Sequence, residues 1–367
     1  MHFGFIRHRV AAHDDPAEAF RPVGWWLLIL AAMVLVMVCL GGLTRLTGSG
    51  LSMVEWQPFT LLPPLSQDAW ADVFAKYQAS PQYRLVNAGM TLTGFKEIFW
   101  LEYIHRLWGR LIGLAFLLPL VQFVAQGRVG RVLLPRLILL FLLGGAQGAL
   151  GWFMVASGLA DRPEVSHYRL AAHLLAALLI YGALLWSALD HLDRPPASVG
   201  AARQANLDRA VSLLLALVVM TMAAGALVAG LHAGLIYNSF PRMGDTWLPS
   251  ESFDLSPGWI NMFENHALVQ FDHRLLAAGV WMGAVGLWLW GLGKGMGPVL
   301  GWRLAVVPVV ATLQAALGIA TLLSLVPVGL AALHQAGAFL LFSTVLWALH
   351  GIRLTDAGRA ATYTKLQ

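Results

Sequence analysis

The sequence predicts an all-α integral membrane protein whose eight transmembrane helices form two four-helix bundles in parallel repeat. Three observations predict it: a charge-poor apolar composition, eight apolar stretches of membrane length, and short strings that recur in one order. Of the 367 residues, 58% are hydrophobic and 12% charged, and the mean hydropathy is +0.67. A soluble domain carries roughly a quarter charged residues, so much of this surface is expected to face lipid.

Crossing a bilayer takes roughly 20 apolar residues in a helix. Stretches of that kind run at 23–43, 107–126, 132–156, 170–190, 209–231, 269–292, 302–324 and 328–350. The first is full length and follows 22 mixed residues, which fits neither a signal peptide nor a cleavable leader. The domain reading follows: a tail 1–22, a bundle 23–190, a linker 191–208, a bundle 209–350 and a tail 351–367. Long connections at about 45–103 and 232–268 carry Trp56, Trp70, Phe74 and Tyr77, then Trp247, Phe253 and Trp259. Such aromatics are expected to lie at the membrane interface.

Charge orients the chain. Fourteen of the 24 Lys and Arg residues fall in the tails and in the short connections after spans two, four and six, among them Arg128, Arg131, Arg136, Arg194, Arg203 and Arg209. The other ten are spread over much longer connections, together with twelve of the 19 acidic residues. The positive-inside rule then places both termini in the cytoplasm. The pI near 9.6 is met by anionic lipid and calls for no nucleic acid. The single cysteine, Cys39, excludes a disulfide within the chain.

The repeat shows in Gln147-Gly148-Ala149-Leu150-Gly151 against Gln314-Ala315-Ala316-Leu317-Gly318, and in Glu102-Tyr103-Ile104-His105-Arg106 against Gln270-Phe271-Asp272-His273-Arg274. Leu170-Ala171-Ala172-His173 answers Ala331-Ala332-Leu333-His334, and Gly48-Ser49-Gly50-Leu51 answers His232-Ala233-Gly234-Leu235. Several weak matches in one order point to duplication. Each half holds an even number of spans, so both halves share one orientation, unlike the inverted repeats of many transporters.

His105, His173, His273 and His334 therefore stand at matched places near the starts of even-numbered spans. All four share a depth in the outer half of the membrane. Imidazoles in apolar helices are costly and mark function, and two that face each other across a bundle hold a haem iron from both sides. The simplest pairing joins His105 with His173 and His273 with His334, giving room for two porphyrins. Any one of these histidines taken singly is as readily explained by a backbone hydrogen bond. His167, His191, His232, His266 and His350 break the pattern or sit at span ends and read as interfacial, with His266 kept as a weak candidate seven residues before His273.

Glu102 lies three residues before His105, on the same helix face, while the second half carries Gln270 there. One half thus keeps an ionisable group where the other has a neutral amide, as expected if chemistry runs in the first and a static cofactor sits in the second. A carboxylate here has two readings, an interfacial partner of Arg106 or Arg110, or a group acting at a reacting carbon. Arg106 and Arg274, each following a histidine, either pair with haem propionates or snorkel to headgroups.

The strings GFKEIFWLEYIHRLWGR, NHALVQFDHR, AAHL and LHQAG, in that order, resemble the haem A synthase family in its proteobacterial and mitochondrial type. The likeness runs from the stretch at 42–51 to the eighth span. It implies an oxidoreductase that converts a methyl group of haem O to the formyl group of haem A by successive hydroxylations with water. It implies haem b on His273 and His334, and substrate haem O in the first bundle with Glu102, His105 and His173 essential. Arg106 and Arg274 are the accompanying cofactor-binding candidates. Some members carry a cysteine pair in an outer loop, which this chain lacks. A haem O-producing enzyme is the partner class implied, and oligomeric state is left open. The competing class is a dihaem bis-His cytochrome carrying electrons from quinol, against which the Glu102/Gln270 difference argues. A transporter would need broken helices around a midplane cavity, and Pro119, Pro308 and Pro327 are too scattered for that.

Overall fold

A computed structural model describes residues 16–55, 62–159, 165–193, 201–292 and 296–354. Trp56, Arg194, most of both expected tails and part of the expected linker lie outside them. Eight helices among the described residues are long and apolar enough to cross a membrane: α1 (Pro16–Leu46), α4 (Leu92–Ala125), α5 (Leu133–Gly158), α6 (His167–Leu192), α7 (Ala201–Gly230), α9 (His266–Leu292), α10 (Gly297–Leu323) and α11 (Val328–Arg353). The chain is a multi-pass membrane protein. Three shorter helices, α2 (Gln67–Gln78), α3 (Pro81–Leu85) and α8 (Asn261–Glu264), lie in the connections at the histidine end.

The second spanning helix departs most from expectation. It begins at Leu92 rather than near 107, with Thr91 as N-cap accepting the Gly94 N–H. Lys96, Glu97, Glu102 and Arg106 hide this first stretch from an apolar-run reading, yet all are good helix formers. At 1.5 Å per residue a helix of this length spans about 50 Å, more than the roughly 30 Å hydrocarbon core. Its leading turns carry the aromatic cluster of the first connection. Trp70 and Tyr77 of α2 are buried with Phe95, Phe99 and Tyr103 of α4. These two aromatics, expected at the lipid interface, instead clamp α2 onto α4, because α4 offers them an aromatic face. Trp247, Phe253 and Trp259 of the second long connection are exposed, as an interfacial segment would be.

Helices α1, α4, α5 and α6 close a ring of neighbours, and α7, α9, α10 and α11 close another. The rings meet through α1, α6, α7 and α11, which pack on one another in the middle. That central seam holds the most deeply buried apolar residues, among them Leu27, Leu30, Leu184, Leu207 and Phe339. Between helices in lipid there is no hydrophobic driving force, so close packing and polar links carry association. Trp26 Nε1 donates to the Ala115 carbonyl at 2.8 Å and Trp108 Nε1 to that of Met33 at 2.9 Å, both tying α4 to α1.

The end of the molecule away from the four histidines holds a buried ionic group. Arg303 of α10, 2% exposed, makes a two-pronged pair with Asp193 at 2.6 and 2.7 Å. His350 of α11 bridges Asp193 through Nδ1 and Asp190 through Nε2, both at 3.1 Å. His350 and His191, expected at the interface, are 1% and 2% exposed. The reason is partnership: carboxylates at the C-terminal end of α6 meet Arg303 of α10 and His350 of α11, and His191 Nδ1 bonds the Ser187 carbonyl at 2.7 Å. A buried charge survives only when paired.

Candidate haem sites

His105 rises from α4, His173 from α6, His273 from α9 and His334 from α11, all half-buried. The second pair is fully specified: the rings of His273 and His334 have centroids 6.4 Å apart and planes at 89°. An imidazole nitrogen stands about 2 Å from a bound transition metal, and the ring centre lies about 1 Å beyond, so two rings on one iron have centres roughly 6 Å apart. The observed separation fits one iron between them. In the first pair, His105 lies within electrostatic reach of His173, and neither Nδ1 has a hydrogen-bond partner. Among the described residues no group of three His, Cys, Asp or Glu side chains is placed to hold a metal ion. Two opposed imidazoles with the four in-plane donors of a porphyrin suit this donor set.

Each of the four rings lies against a glycine of a neighbouring helix. A Cβ added at Gly41 of α1 would stand 2.9 Å from His105 Cε1, and one at Gly225 of α7 would stand 3.0 Å from His273 Cε1. At Gly151 of α5 it would stand 3.3 Å from His173 Cε1, and at Gly318 of α10 it would stand 2.7 Å from His334 Cε1. A side chain at Gly41 or Gly318 would force the imidazole to shift, and one at Gly225 or Gly151 would crowd it. Four residues before Gly151 and Gly318, on the same helix face, Gln147 donates to the His173 carbonyl at 2.7 Å and Gln314 to the His334 carbonyl at 2.8 Å. Gln314 also approaches His334 Nδ1 at 3.1 Å, and His273 Nδ1 bonds the Thr221 carbonyl at 3.1 Å. A histidine that gives its Nδ1–H to a carbonyl, as His273 does, keeps the Nε2 lone pair for a metal.

Sequence reading used Gly151, Gly318 and the two glutamines only as marks of the repeat. Gly41 and Gly225 went unnoticed, although they are related by the same offset as Gly50 and Gly234. That shared offset was the available signal.

Glu102, 2% exposed, is the anchor of the first connection. Its Oε2 accepts from Ser52 Oγ at 2.7 Å and from the Met53 N–H at 2.8 Å, while Oε1 accepts from Arg106 Nε at 3.0 Å. Arg106 also donates to the Met53 and Glu55 carbonyls. The second half repeats this with weaker chemistry. Gln270 donates to the Tyr237 carbonyl at 3.2 Å, and Arg274 donates to the carbonyls of Tyr237, Ser239 and Arg242. Both arginines thus have their donors turned to loop carbonyls, an occupation that neither of the two readings from sequence contained. His266 stands exposed at the start of α9, apart from the pair it was weighed against.

A family model described as cytochrome oxidase assembly protein (COX15-CtaA) matches residues 24–346. The chain belongs to this family. It is 48% identical to a heme A synthase of Parvibaculum lavamentivorans over 346 residues, covering 94% of this chain and 98% of that protein. A heme A synthase of Granulibacter bethesdensis is 51% identical over 93% of this chain and 89% of its own length. The heme A synthase COX15 of Arabidopsis thaliana is 44% identical over 92% of this chain and 76% of its own.

Proposed function

We propose that this chain is a haem A synthase, an oxidoreductase that takes haem O and converts one methyl group to the formyl group of haem A. The observation that carries the reading is the perpendicular His273–His334 pair at iron-spanning distance, beside a matched first pair whose helix carries buried Glu102 where the second has Gln270. In this reading His273 and His334 hold haem b, which relays electrons when bound. His105 and His173 hold the substrate haem.

Each round breaks one C–H bond of the methyl carbon, forms one C–O bond to a water, and releases two electrons to an external acceptor and two protons, one from the carbon and one from the water. Two rounds give a geminal diol, which loses water to leave the aldehyde. Glu102 contributes a fixed negative charge close to His105, and positive charge developing on the substrate carbon is stabilised by such an anion at a site shielded from bulk water. Its hydrogen bonds to Ser52, Met53 and Arg106 hold that charge in place. Arg106 and Arg274 hold the connections over the two sites through loop carbonyls and would offer positive charge to the propionates of a bound haem.

The same proposal takes residues 23–190 as the substrate bundle and 209–350 as the haem b bundle. It places the chain in a bacterial inner membrane with both termini cytoplasmic, receiving haem O from a haem O-producing enzyme. Pigment analysis tests it. Pyridine haemochrome spectra of the purified protein should show haem b, and haem A should appear when the chain is expressed with a source of haem O. Glu102→Ala should keep haem b and stop at haem O or a hydroxylated intermediate. Undiminished haem A from that variant would refute the role of Glu102, and haem b without any haem A would favour the electron-carrying cytochrome.

A further inference from the structure

One amide on α11 has no counterpart in the repeat. Gln335, the residue after His334, turns away from its own ring of helices and donates Nε2–H to the Val38 carbonyl of α1 at 2.8 Å. It reaches that backbone because Gly42 has no side chain: the nearest atoms to a Cβ added there belong to the Gln335 amide. Gly42 follows Gly41, the glycine against which the His105 ring rests. A short connection therefore joins the two histidine pairs. His334 and Gln335 are adjacent in sequence, the amide is bonded to the stretch of α1 that carries Gly41, and Gly41 seats His105.

The other seam between the rings lacks these residues. By the repeat offsets, Gln335 corresponds to Leu174, Gly42 to Ala226 and Val38 to Met222. An interhelical amide bond in an apolar seam adds only modestly to stability, and its best-attested use is to fix register. Present in one of two related seams, at the depth of the histidines, it fixes how α11 stands against α1.

We infer that Gln335 is a positioning residue that sets the placement of the second haem site relative to the first for electron exchange between them. The inference rests on the haem A synthase reading. The step is a one-electron exchange between two irons, one losing the electron the other gains, with no bond made or broken. Placement controls its rate, because the electronic coupling between two centres falls off with their separation and mutual orientation.

The test uses the full-length protein purified with haem b and loaded with haem O, as Gln335→Ala, Gly42→Ala and the double variant. Three quantities are read: haem b stoichiometry, its reduction potential, and the rate at which electrons equilibrate between the haems after rapid mixing with reductant. Gln335→Ala should keep the stoichiometry and potential while slowing equilibration by a factor of a few. Gly42→Ala should do the same by dislodging the amide. The double variant should be no slower than either, because both changes break one contact. An unchanged rate in both single variants overturns the inference, as does loss of haem b in step with the rate, which would make the amide a packing element only. If Gln335→Ala does not accumulate, Gly42→Ala decides alone. A wild-type protein that binds no haem b or forms no haem A defeats the functional reading itself, whereas an active wild type with full-rate variants defeats only the role of Gln335.

Discussion

Gly318→Ala should cost the protein its haem b. The added Cβ would stand 2.7 Å from Cε1, 3.3 Å from Nδ1 and 3.4 Å from Nε2 of His334. Carbon pairs rest at about 3.5–4.0 Å, so the ring or the helix behind it must retreat by roughly 1 Å. The ring cannot swing freely, because Gln314 holds both its Nδ1 and the carbonyl of its own residue. Overpacking of this kind costs about 1–3 kcal/mol, or roughly 5- to 150-fold in haem affinity at 1.4 kcal/mol per tenfold. The assay is haem b per chain by pyridine haemochrome, with electron paramagnetic resonance of the oxidised protein. Residual haem should shift from a six-coordinate low-spin to a high-spin signal as one axial bond is lost. Gly225→Ala, at 3.0 Å from His273, should act in the same direction and less strongly. Gly41→Ala should spare haem b and lower conversion of haem O, with Gly151→Ala the mildest at 3.3 Å. Full, low-spin haem b in Gly318→Ala would refute the view that glycine makes room for the ligand.

Three further outcomes are expected. Gln314→Leu should reduce haem b content while Gln147→Leu leaves it intact and impairs only substrate haem binding, as separate titrations with haem b and haem O would show. Asp193→Asn should lower the melting temperature of the detergent-solubilised protein by removing the anion from Arg303, a change of about 3–5 kcal/mol for a broken buried pair; an unchanged melting temperature would mean water already reaches the cluster. Burial pushes the Asp193 carboxyl up, but hydrogen bonds from His350 and Arg303 outweigh it and hold the group below the ordinary carboxylate range. With the folded value depressed, its stabilisation is present above the unfolded value near 3.9 and lost as pH falls through the folded one. Thermal unfolding of the wild type should therefore steepen in pH dependence below about pH 4, and the Asp193→Asn protein should lack that component.

Much of the fold was legible because membrane length and apolar composition are one-dimensional quantities. The eight spans lie within eight residues of the observed helix ends, except where charged residues on α4 hid fifteen residues of helix ahead of the expected start. Hydropathy reports where lipid lies and is silent on a helix that continues into water. The histidines were legible for a related reason, since an imidazole among leucines stands out and duplication sets four of them in register. Glu102 stood out because the matching position of the second histidine motif holds the neutral amide of Gln270. The glycines did not, because glycine is frequent in membrane helices and only the ring that lies against Gly41 or Gly318 distinguishes it. His350 and His191 were misjudged because a histidine at a span end looks interfacial until its carboxylate partners are known.

Composition, span length and the internal repeat were enough to give a helical membrane protein and four candidate ligand histidines at repeat-matched positions, because each is a property of order along the chain. Which helix face meets which decided the rest. The seating of each ring on a glycine, the turning of Arg106 and Arg274 to loop carbonyls, the pairing of Arg303 with Asp193 110 residues away and the reach of Gln335 to Val38 across 297 residues all join positions that no local pattern relates. They arise only when packing rotates each helix to a definite angle, and at short range a few ångströms separate a ligand, a latch and an inert side chain.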